Sequence, residues 1–61
     1  MKKSEIVEGV KIHTIGNKSK VFRIVKDEGE TVVVTYHDYK GWLQGKRLKK
    51  SSLLSNYVVK R

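Results

Sequence analysis

Thr31-Val32-Val33-Val34-Thr35-Tyr36-His37-Asp38 is the stretch that decides the fold, because its pattern fits a strand and no other element. Successive strand side chains point to opposite faces. Val32, Val34 and Tyr36 therefore share one face, and Val33, Thr35 and His37 the other. The stretch is punctuated at both ends. Asp27-Glu28-Gly29-Glu30 precedes it, with Gly29 able to supply the left-handed residue of a hairpin. Tyr39-Lys40-Gly41 follows as a second tight turn. The whole chain has the same bias, with nine Val, four Ile and three Thr but no Ala and no Pro. Branched side chains favour a pleated surface and alanine favours helix, so the class is all-β.

Upstream, residues 20–26 form a strand of double character. Phe22 and Ile24 share one face; Val21, Arg23 and Val25 share the other. Gly16-Asn17-Lys18-Ser19 is a turn, and residues 10–15 make a first strand with Val10, Ile12 and Thr14 on one face. Residues 1–8 carry no period and are left free to be disordered.

Downstream, residues 42–48 make a fourth strand. Leu43 and Leu48 both suit a core but lie five positions apart, on opposite faces of a regular strand. A bulge at Gly45 would reset the alternation and bring both inside. Trp42 and Gln44 would then face outward. Residues 51–56 suit one helical turn, capped by Ser51 or Ser52 and ended by Asn56, and residues 57–60 a last short strand. A four-strand meander, a helical turn and a fifth strand is the order of an SH3-like five-stranded small barrel.

Sixty-one residues make a single domain, residues 1–61, whose stability is marginal at this size. There is no cysteine, so no disulfide supports it. The longest apolar run, Val32-Val33-Val34, is far too short to span a membrane. Ser4, Glu5 and Glu8 interrupt any apolar segment behind Lys2-Lys3, so the cytoplasm is the expected compartment.

Charge is distributed unevenly along the chain. Residues 1–38 hold seven bases and six acids, whereas residues 39–61 hold seven bases and no acid. Most of the net charge of +8 is thus in the last third of the sequence. Such a field attracts polyanions, and nucleic acid is the commonest for a small domain.

Lys46-Arg47-Leu48-Lys49-Lys50 is the leading phosphate-contact segment, with Arg23 and Lys40 as further contacts. Trp42 and Tyr39 beside Lys40 offer stacking surfaces, and Gln44 a donor to a base edge. The same aromatics could instead cage a methylated lysine. His13 and His37 without cysteine make no metal site, and no relay or phosphate loop is present. No enzyme activity and no cofactor are expected.

Val21-Phe22-Arg23-Ile24-Val25-Lys26 followed by Val34-Thr35-Tyr36, a basic strand with a glycine and Leu53-Leu54 resembles the small basic chromatin proteins of crenarchaea over residues 20–54. Those are SH3-like barrels that bind duplex DNA without sequence preference. The resemblance implies that Phe22 and Ile24 are wedges between base steps; should both be buried, Val21 and Val25 become the outer pair. Gly9-Val10-Lys11-Ile12, Gly16 and Val21-Phe22-Arg23-Ile24-Val25 is also similar to KOW-type modules. The expectation is a nucleic-acid-binding barrel, duplex DNA favoured over RNA, monomeric or weakly dimeric and nucleoid-associated. The alternative is a peptide- or protein-binding SH3-like or Tudor-like module, such as a bacterial or phage regulator.

Overall fold

A computed structural model of the protein describes residues 1–60. Its strands are β1 (Lys11–Thr14), β2 (Asn17–Asp27), β3 (Thr31–His37), β4 (Leu43–Lys49) and β5 (Tyr57–Val59). One helix, α1 (Lys50–Asn56), joins β4 to β5. The strands form one antiparallel sheet in the order β4-β3-β2-β1-β5. The ladder is open, with β4 and β5 as its two edges. No helix among the described residues is long and apolar enough to cross a membrane.

The core answers the question left open by β2. Phe22 and Ile24 are buried with Ile6, Ile12, Val32, Val34, Leu53 and Tyr57, while Arg23 and Val25 are exposed. The Phe22 ring meets Tyr36 edge-on at 5.1 Å between centroids and Tyr57 at 5.9 Å. Aromatic pairs prefer this arrangement because a positive ring edge meets a negative face. Phe22 is 2% exposed and Ile24 wholly buried, so neither can be a wedge into DNA. A chain with one phenylalanine cannot leave it in water and still fill a core this small.

The expected bulge at Gly45 does not form. The β3–β4 register runs unbroken from Thr31 opposite Lys49 to His37 opposite Leu43. Leu48 therefore packs against the core, and Leu43 lies on the other face, 63% exposed. The core is closed over this region by Val32, Val34, Phe22 and Tyr36, so it has no need of Leu43. Register shifts occur elsewhere, between Ile12 and Thr14 in the β1–β2 pair and, in β2 against β3, between Ile24 and Lys26. Val25 is the extra residue there.

Gly29 and Gly41 take the positive φ angles, +98° and +83°, that the two hairpin turns demand. Neither Ser51 nor Ser52 caps helix α1: its N-cap is Lys49, two residues before Ser51, with no capping side chain. Its Leu53 is wholly buried and inserts beneath the sheet. Residues 1–8, left free to be disordered by their sequence, carry a 3-10 turn at Lys3–Glu5 and set Ile6 into the core.

Truncating Phe22 to alanine removes a ring worth about 3–5 kcal/mol in a core. That is comparable to the whole stability of so small a domain, roughly 0.05–0.15 kcal/mol per residue. Phe22→Ala is expected to be unfolded by circular dichroism at room temperature, and Val21→Ala to melt within a few degrees of the parent. The reverse outcome would put the other face of β2 inside.

Candidate nucleic-acid interface

Burying Phe22 and Ile24 turns Val21 and Arg23 outward by the pleat alone. Across the ladder, Lys11 lies opposite Arg23, Arg23 opposite Thr35, and Thr35 opposite Gly45. These residues form one row across the outer face of four strands. Lys11, Arg23 and Lys60 line a shallow groove there together with Val21, Val25, Thr35, His37 and Leu43, and no acidic residue lines it. Lys60 is held beside Lys11 because its amide donates to the Lys11 carbonyl at 2.9 Å. Gly45 leaves the end of the row flat. A Cβ built on it would meet only the Val34 carbonyl oxygen, at 3.7 Å.

The turn between β3 and β4 is a second feature. The Asp38 carboxylate accepts the amides of Lys40 (2.9 Å) and Trp42 (3.0 Å) and the Gln44 side chain (3.1 Å). Burial pushes this carboxyl up. The Trp42 amide, the Gln44 side chain and the Lys40 and Gly41 amides outweigh it and hold its pKa below the ordinary value. The turn therefore presents Tyr39, 93% exposed, and Trp42, 69% exposed, from an ordered backbone. The Lys40 ammonium lies 5.6 Å from the Tyr39 ring centroid.

The remaining sequence candidates are scattered. Gln44 is engaged by Asp38. Lys46 stands opposite Val34, on the core side of the sheet, with its ammonium 5.0 Å from the Phe22 centroid. Lys49 is exposed opposite Thr31. Arg47 donates to Glu28 at 2.8 Å, and the Lys50 ammonium lies 3.0 Å from the Asp27 carboxylate. The basic segment is thus divided among two faces and two ion pairs, and the acid-free end of the sequence folds back onto the acids.

Lys11, Lys60 and Leu43 were missed by the sequence reading. For Leu43 the signal was available in the turn at residues 38–42. A regular hairpin about that turn sets residue 31 opposite 49 and turns Leu43 outward. Comparison of the chain with protein-family models, curated proteins and solved structures finds no match.

The ion pairs carry a pH dependence. The Gly29 amide, then Lys50, hold Asp27 below its ordinary 3.8; Arg47 above all holds Glu28 below its ordinary 4.5. A lowered carboxylate stabilises the fold above its unfolded pKa, and that contribution is lost as pH falls through the folded value. The melting temperature is expected to hold near neutrality and to decline below about pH 5. The Asp27→Asn/Glu28→Gln variant should show a shallower acid decline in the same melts, and an unchanged decline would discount both pairs.

Proposed function

We propose that the protein binds nucleic acid, duplex DNA in preference to RNA, through the outer face of an SH3-like small barrel. One observation carries this. Three exposed bases, Lys11, Arg23 and Lys60, surround the outward Val21, Val25 and Leu43 in a groove without an acidic lining. The strand order, and the helix between the fourth and fifth strands, support the barrel.

Cations flanking a low apolar ridge suit a duplex. Lys and Arg meet phosphates on either side, while branched side chains press on sugars or base edges in the minor groove. Val21 and Val25 take the place of the buried Phe22 and Ile24. Little sequence specificity follows, because Gln44, the amide best suited to read a base edge, is held by Asp38.

The turn at residues 38–42 supports a second reading. Tyr39 and Trp42, exposed and held by Asp38, suit a peptide or protein partner. The two readings place binding on different residues.

Lys11→Ala, Arg23→Ala and Lys60→Ala are each expected to weaken duplex binding and flatten the log–log salt slope by about 0.9. Leu43→Ala and Gly45→Val should weaken binding with the slope unchanged, because neither alters phosphate neutralisation. Fluorescence anisotropy at several salt concentrations checks all five. Wild-type affinity in all five variants, with loss in Trp42→Ala, would move the interface to the turn.

A further inference from the structure

His37 is a histidine on the outer face that the fold itself does not use. It ends β3, opposite Leu43 on β4 and on the same side of the strand as Thr35. It therefore belongs to the face that carries Arg23 and the outer groove. That groove does not stop at His37. A second groove, lined by Lys20 and Tyr39, shares Val21, Tyr36 and His37 with the first, so the two run into one another. His37 stands exposed at their junction.

The charged groups that face this junction are mostly cations. Along the second groove they are Lys20 on β2 and Asp38 on the turn, beside the phenols of Tyr36 and Tyr39. Along the first they are Lys11 on β1, Arg23 on β2 and Lys60 just past β5. Asp38 is the single acid in this set. Its carboxylate is taken by the Lys40 and Trp42 amides and by the Gln44 side chain. The His37 ring makes no hydrogen bond or ion pair among the described residues. His13 differs in both respects: it is buried, and its Nδ1 lies 2.7 Å from the Thr14 carbonyl oxygen. The fold thus occupies one histidine and leaves the other open to a ligand.

A neutral imidazole offers one N–H donor, whereas the protonated ring offers two donors and a charge. Histidine as a class changes charge between about pH 5 and 8, where lysine and arginine as classes stay charged. A phosphate at the junction favours the protonated ring, because a nearby opposite charge stabilises the charged form. We propose that His37 is a phosphate contact of the duplex interface, engaged in its protonated form. Binding then takes a proton from solvent and tightens as pH falls from about 8 to about 6. This rests on the duplex-binding reading of the outer face, and it carries that interface along the joined grooves toward Lys20.

The test is fluorescence anisotropy of the full chain with a short labelled duplex, at both pH values and several salt concentrations. The wild type is expected to bind about two- to fivefold more tightly at the lower pH, the effect of one exposed ion pair. Its log–log salt slope should also steepen there by about 0.9, for one further phosphate neutralised. His37→Gln should bind as the wild type does at the higher pH and lose both differences. His37→Lys should keep the steeper slope at both pH values, which separates charge from fold. His13 is unchanged in every variant, so a response that runs through it survives in His37→Gln. Equal wild-type affinity and slope at the two pH values would overturn the proposal. A pH response that persists in full in His37→Gln would overturn it too. Absence of salt-dependent binding at both pH values would instead reject the duplex-binding reading on which the contact depends.

Discussion

The Phe22 ring lies edge-on against Tyr36 and Tyr57, and almost every other placement in the molecule follows from that contact. With Phe22 inside, the pleat sends Val21 and Arg23 into water, and cross-strand pairing sets Lys11 and Thr35 beside Arg23. The same ring forms part of the surface on which Lys20 and Lys46 rest. Hydrophobic burial and the distribution of positive charge are therefore one constraint. An outer face of cations around Val21, Val25 and Leu43 is what remains once the single phenylalanine is buried.

Charge shows why distance along the chain is a poor guide to a surface. All six acids precede residue 39, and half of the bases follow it. The antiparallel return of β4 nevertheless brings Arg47 to Glu28, and the start of α1 brings Lys50 to Asp27. Exposed pairs of this kind contribute little to stability. Their larger effect is to withdraw Arg47 and Lys50 from any phosphate-binding surface.

Most strands could be read from the sequence because the chain states them locally, but the turn expected at residues 16–19 is largely strand, since β2 begins at Asn17. Val32, Val34 and Tyr36 alternate with Val33, Thr35 and His37 in a run of β-formers, and Gly29 and Gly41 mark the turns. The inner face of β2 could not be read this way, since Val21 and Val25 are as apolar as Ile24. Only the competition for a core settles it. The Gly45 bulge failed for a related reason. It assumed that each leucine must be buried, whereas Leu43 lies over a core already filled from β2 and β3. Of the expected contacts, Arg23 lies on the outer groove and Lys46 on the opposite side, while Arg47 and Lys50 are ion-paired. Those assignments depend on register between distant strands, which no local pattern encodes.

The central claim is that a duplex occupies the outer face of the sheet. Amide-shift titration of the labelled protein with a short duplex, at two salt concentrations, tests it most directly. The account predicts salt-sensitive shifts centred on Lys11, Val21, Arg23, Val25, Thr35 and Leu43, with the Asp27 and Glu28 turn silent. Shifts confined to Tyr39, Lys40, Gly41 and Trp42, with the outer strands unmoved, would contradict it.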